Sequence, residues 1–364
     1  MRLRFAPLLV PALLSVAASP SAAQLLVESR ERVEELRSRV RRDSCDVSLY
    51  YALGMALLSR REFDAADSAF LQAVTIDPQF AEGWVGAAIA QLENTRLWNR
   101  LRRRGDTAVA RERAHRTGML RRAFLIDPFV NIAPREGDYS ATAFEYGQRF
   151  MARELQRTHS RDSLPPGLLW EHALLSIRTF HWAEAIADFE SLRRIFAARE
   201  RDDTTGAVPL SGGNVLYMLA ALQLRNGDAE QAIRLYRQTI GEDLGNYMAH
   251  VQLARIHEVA EEWPDAVRER RAAVEVFPEN ATLVSDLGLT LYRSGALAES
   301  EETLLQARAM NQRDPLIPYR LGVVEDAQGK RDAARASLEL FLRLAPSGLT
   351  TPIADARRRL SRMP

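Results

Sequence analysis

Residues 47–80, VSLYYALGMALLSRREFDAADSAFLQAVTIDPQF, decide the fold. They place Tyr50, Leu53, Gly54 and Leu57 in one run and Ala66, Phe70 and Ala73 in the next, with Pro78 closing the segment. Offsets of three and four put each set on one helix face, so the stretch is expected to be two antiparallel helices. The same frame then returns along the chain. Aligned on Leu-Gly pairs and on the closing proline, units begin at Val47 and Ala81, and again at Gly213, Tyr247, Ala281 and Pro315, spaced 34 residues apart within each group. A small residue after Leu lets the paired helices approach, and an exchange such as Ala66→Leu at their contact would overpack it. Gly295, Gly329 and the Asn226-Gly227 pair supply the turn between helices. The closing proline stops the second helix.

These offsets resemble the tetratricopeptide repeat, whose pattern is an aromatic, then Leu-Gly, a large residue, Ala, Phe, Ala and Pro. The first unit matches almost throughout. The unit from Ala281 keeps Leu287, Gly288, Leu291, Leu304 and Ala307, and that from Pro315 keeps Leu321, Gly322, Ala334, Leu338 and Pro346. The unit from Tyr247 has Leu253-Ala254 for Leu-Gly, and the unit from Gly213 ends on Leu244 where a proline is expected. A further degenerate unit runs through Leu169, Ala173, Ala185, Phe189 and Leu192. The resemblance implies an all-α solenoid whose helix pairs bury their apolar faces only by stacking.

The expected organisation is a signal peptide over 1–23, a capping helix over 24–46, and two units over 47–128. An irregular connector with one helix follows over 129–165, then a degenerate unit and loop over 166–212, four regular units over 213–348, and a basic cap over 349–364. Arg2 and Arg4 precede an apolar run from Phe5 to Ala18, and Ser21-Ala22-Ala23 offers a cleavage site before Gln24. Export, with a periplasmic address first and secretion second, is therefore expected. Leu26, Val33, Leu36 and Val40 recur on one face of the capping helix. In the connector, 134–138 reads as loop and Ala141 to Thr158 as an amphipathic helix, while the polar run Glu200 to Gly212 reads as a surface loop.

The unit from Ala81 carries 14 extra residues before Pro128. Trp84 to Arg104 and Ala108 to Ile126 are both helix-compatible, with Gly105 between them, so an elongated hairpin is expected. It is strongly basic. Arg96, Arg100, Arg102, Arg103, Arg104, Arg111, Arg113, Arg116, Arg121 and Arg122 face only Asp106 and Glu112, with Leu97, Trp98 and Leu101 interleaved. Such a surface suits an acidic protein or an anionic lipid or glycan surface, with nucleic acid the weakest option after export. Equally, arginine stems packed along a solvated face would account for it.

Overall the 364 residues carry Lys+Arg 49 against Asp+Glu 48, so no global field recommends a partner, and Lys330 is the only lysine. Cys45 is the only cysteine, which excludes an internal disulfide and a cysteine zinc cluster. It is read as an isolated thiol, with an interchain disulfide as the alternative. No phosphate loop with lysine, nucleophile elbow or His-Glu-x-x-His motif occurs, so no catalytic residue, metal or cofactor is expected. His250 and His257 share a helix face at positions the repeat reserves for packing.

The family resemblance implies a concave groove lined by the first helix of each unit. Carried over, its residues are Asn214, Tyr217, Leu224, Val251, Arg255, Ser285, Leu289, Tyr292, Tyr319 and Val323. Tyr and Arg are types that often dominate interface energy. The expected function is a non-enzymatic protein-interaction scaffold of the cell envelope that binds an extended or helical protein or peptide segment. An envelope factor binding anionic lipid or glycan through the basic hairpin, and an accessory subunit of an envelope enzyme, are the alternatives.

Overall fold

A computed structural model describes residues 22–130, 141–199 and 212–363, without the side chains of 22–29, 117, 141–146, 199 and 212. The expected leader up to residue 21, the loop at 134–138 and the loop at 200–211 lie outside the described residues. Those described form eighteen α-helices and a single 3-10 turn, with no strand among them.

Helix α1 (Ala22–Arg42) is followed by the pair α2 (Val47–Ser59) and α3 (Phe63–Ile76). Then come α4 (Ala81–Glu93), α5 (Thr95–Arg104), α6 (Asp106–Ile126) and α7 (Ala141–Thr158). The remaining helices form antiparallel pairs. These are α8 (Pro166–Arg178) with α9 (Trp182–Arg199), α10 (Gly212–Arg225) with α11 (Ala229–Glu242), α12 (Tyr247–Val259) with α13 (Trp263–Val276), α14 (Ala281–Arg293) with α15 (Leu297–Met310), and α16 (Leu316–Ala327) with α17 (Arg331–Leu344). A last helix, α18 (Thr350–Leu360), covers α17 and buries Ala356 against Leu338 and Phe341. At the other end Val33 and Leu36 of α1 are buried with Leu49, Leu53 and Leu57 of α2.

The small residue after Leu has a specific neighbour. Phe70 of α3 is fully buried between two glycines: a Cβ on Gly54 of α2 would lie 2.6 Å from its ring, and one on Gly86 of α4 would lie 2.5 Å from it. Gly288 and Gly322 stand in the same relation to Leu304 and Leu338, each at 2.7 Å. The close approach is therefore made to a large side chain of the second helix, which fills the space a side chain on the first would need.

Four units end on the same local hydrogen bond. Carboxylate or amide oxygens of Asp77, Asp127, Asp243 and Asn311 accept from the backbone N–H two residues onward, at 2.9, 2.9, 3.0 and 3.0 Å. This turn stops the second helix whether or not a proline follows, which is why the unit from Gly213 closes normally on Asp243 without one. Between paired helices the backbone enters the left-handed region. Gly227, Gly295 and Gly329 do so at φ of 90°, 86° and 76°, and Arg61, Phe180 and Glu261 do so at 61°, 62° and 59°.

The basic insertion differs from expectation. No continuous helix spans 84–104: α4 stops at Glu93, and Asn94 turns the chain and accepts from the Leu97 N–H at 3.0 Å to start a separate helix, α5. The Asn94 amide also donates to Asp64 of α3 at 2.7 Å, so the break is pinned to the preceding unit. Only α6 is lengthened, to 21 residues, and it pairs with both α4 and α5.

Two substitutions separate these backbone and packing constraints. Gly86→Ala should lower the unfolding free energy by about 1–3 kcal/mol, because Phe70 has no room to move. Glu261→Gly should raise it by about 1 kcal/mol, because glycine carries no left-handed penalty. Chemical denaturation of both variants checks the pair.

Candidate functional site

The chain returns on itself. Arg313, in the turn between α15 and α16, donates to the Gln72 side chain at 2.7 Å and to the Ser44 carbonyl at 2.8 Å. Next to it the Asn311 amide donates to the Ile76 carbonyl at 3.0 Å, and the Ser347 N–H to Asp43 at 3.4 Å. A second set of contacts joins α6 to the middle of the array. Tyr217 of α10 donates to the Leu125 carbonyl at 2.8 Å, Arg121 lies 3.3 Å from Asp243, and Arg122 is stacked between the rings of Trp84 at 4.7 Å and Phe277 at 5.1 Å.

This closure alters the expected groove. Phe124 and Leu125 join the same buried cluster as Leu216 to Ala220, Met248 and Val251, so the end of α6 occupies space on the inner face. Asn214, Tyr217, Val251 and Ser285 are buried and offer no free surface, Tyr217 and Val251 within that same cluster. Ser285 accepts from Arg320 at 2.8 Å, and Tyr319 donates to Asp355 of the capping helix at 3.0 Å. Of the ten groove residues, Arg255 is exposed and Leu224, Leu289, Tyr292, Tyr319 and Val323 are half-buried. The accessible concave surface is narrower than the sequence pattern implies, because the pattern describes an array with nothing inside it.

Buried charges run across the units behind that surface. Arg270, almost fully buried, pairs with Glu258 at 2.9 Å and Asp286 at 3.2 Å, and Asp286 also meets Arg320 at 2.9 Å. Asp77 and Asp314 stand in the field of Asp286 and Arg320. Burial raises both carboxyls, that of Asp314 up to about 6, against the Leu316 N–H and the Arg320 guanidinium, which pull it down. Nothing in the sequence local to either aspartate marks the other as its neighbour.

The basic arm projects from α4 and α6. Trp98 anchors it, donating to the Gln91 carbonyl at 3.0 Å with the Arg116 guanidinium 5.2 Å from its ring. Arg96, Arg100, Arg102, Arg103, Arg104, Arg111 and Arg113 are exposed. Among the described residues Arg100 reaches Asp64 at 4.0 Å, and the other six pair with no carboxylate. Arg121 and Arg122, read from sequence as part of the arm, belong to the closure instead.

Cys45 is buried beside the start of α2, where a second chain has no access to its thiol. His250 and His257 are packed as the spacing implies, with Nδ1 atoms 2.8 Å from Glu269 and 2.6 Å from Glu262. His257, Glu262 and Asp265 bring ligand atoms within 4.8 Å of one another, but the imidazole Nδ1 is already engaged by Glu262. His172 Nδ1 is 2.5 Å from the fully buried Asp188, which also pairs with Arg161 and so ties the connector to α8 and α9. No helix among the described residues is long and apolar enough to cross a membrane.

Models of the tetratricopeptide repeat match residues 47–80 and, in overlapping registers, 217–275, 252–315 and 285–348. These residues form tetratricopeptide repeats. The matched stretches are those whose units close on the 34-residue frame, and the degenerate α8–α9 pair and the arm fall outside them. No curated protein sequence matches the chain. Similar solved structures include MamA from Desulfovibrio magneticus RS-1, residues 41 to its end, at 16% identity over 49% of this chain and 94% of that one, with a TM-score of 0.41. A MamA RS-1 double mutant aligns at 16% identity over 51% and 97%, with a TM-score of 0.42.

The closure has a pH dependence with a definite sign. A carboxyl whose pKa is raised on folding favours the closed state most when protonated. The contribution of Asp314 is therefore full below about pH 4 and is lost as pH rises toward 6. Stability measured from pH 4 to 7 should fall across that window, and Asp314→Asn should flatten the fall.

Proposed function

We propose that this array is a non-enzymatic protein-interaction scaffold exported to the cell envelope. A partner segment is bound along the concave surface left open around Arg255, Leu289, Tyr292 and Val323, with the basic arm as a second contact. The observation that carries the reading is the stack itself: repeated helix pairs hold a continuous curved surface rigid, on which one exposed guanidinium stands among half-buried apolar and aromatic side chains. Export rests on the leader-like first 23 residues.

The arm supports a companion reading. Six arginines without a carboxylate partner among the described residues, on a hairpin braced by Trp98 and Asn94, form a field that attracts an anionic surface. Its tip, Arg102 to Thr107, is polar, so the contact would be to headgroups or anionic glycan and not to the bilayer interior.

A photo-crosslinking residue placed at Arg255 or Tyr292 should capture a discrete protein in the exporting cell, whereas one on the outer face at Arg234 should not. Equal adducts at all three positions, or none at any, contradict the groove reading. Pelleting with phosphatidylglycerol vesicles that disappears when Arg102, Arg103 and Arg104 are changed to Glu would favour the arm as the principal contact.

A further inference from the structure

The closure leaves a cleft of about 240 Å³ between α6 and the α12–α13 pair, lined by Gly118, Arg121, Arg122, Leu125, Gly245, Tyr247, Val276 and Phe277. Its composition is unlike that of a packing defect. Arg122 has aromatic rings on two sides and no carboxylate partner among the described residues, so its guanidinium is partly desolvated and its charge unanswered. Leu125, Val276 and Phe277 supply apolar wall beside it, with the Phe277 ring 5.3 Å from that of Tyr247.

We infer that this cleft binds a small monocarboxylate with an apolar body, its carboxylate received by Arg122 and its hydrocarbon laid on Leu125, Val276 and Phe277. Charge sets the class. Arg121 is already answered by Asp243 at 3.3 Å, so two cations and one anion leave room for a single negative charge, and Asp243 repels a second. Size sets the scale, since the cleft is smaller than the 300–1,000 Å³ or so of drug-sized sites and suits a branched fatty acid or one terminal residue of a peptide. Because its walls come from both sides of the closure, an occupant holds the closed form together and raises its stability by mass action. The site stands apart from the partner surface proposed above and does not depend on it.

Gly118 allows a test that leaves the fold intact. A Cβ there meets nothing within 4 Å, so a larger side chain enters open space and also favours the helix. Titration calorimetry of the full chain with 4-methylpentanoate should give one saturable site, with a Kd on the order of 1 mM or below. Succinate and inorganic phosphate should bind at least about tenfold more weakly, Gly118→Leu should lose binding about tenfold while keeping its melting profile, and Arg122→Gln should weaken it severalfold. A peptide ending in a free leucine carboxylate, set against its amide, separates a terminal residue from a free acid as the source of the ligand; binding of either carboxylate with this variant pattern supports the site. No saturable heat with either probe up to about ten times that Kd, equal binding of succinate, or unchanged binding by Gly118→Leu would overturn it.

Discussion

Everything in this molecule hangs on the seating of a large side chain against a position that has none. Phe70 occupies the space that side chains on Gly54 and Gly86 would need, and Leu304 and Leu338 repeat the arrangement on Gly288 and Gly322. That contact sets how closely the paired helices lie, and Phe70 touches the following unit as well as its own. It therefore sets the angle from one unit to the next. A stack of such pairs has no core apart from the contacts between neighbours, so small differences in seating accumulate into curvature.

Curvature brings the ends together. The turn before α16 reaches the first pair, and the end of α6 reaches α10 and α12, so the inner face of the array is partly filled by its own amino-terminal half. Two consequences follow for function. The surface left for a partner is the rim around Arg255 and Tyr292, with Tyr217 and Val251 already committed to the core. The arm, meanwhile, is held outward on α4 and α6, so its exposed arginines meet solvent. The near-zero charge of the whole chain hides this division between a basic projection and an acidic remainder.

Much of the fold was legible because the repeat is written in short-range spacing. Leu53-Gly54, Ala66 and Phe70 announce a helix pair without reference to anything distant, and the same signal serves the later units. The closure was not legible, for a physical reason: Arg313 and Asn311 contact residues more than two hundred positions away, and no local pattern marks a residue as the far half of such a contact. The break at Asn94 was hidden differently. Residues 84–104 have adequate helix propensity throughout, and the tie from Asn94 to Asp64, a tertiary contact, overrides it. The groove list erred at its buried members because a family pattern says which way a helix faces and not what else fills the space.

Closure on the amino-terminal half is the claim on which the partner surface and the cleft both depend. Its most direct test is a pair of spin labels at the exposed positions Thr75 and Gln312, flanking the contact between Ile76 and Asn311, with the buried Cys45 exchanged for Ala. A single narrow distribution at short distance is the result the account predicts. A broad distribution extending to long distances would mean that the ends are apart in solution and would contradict it.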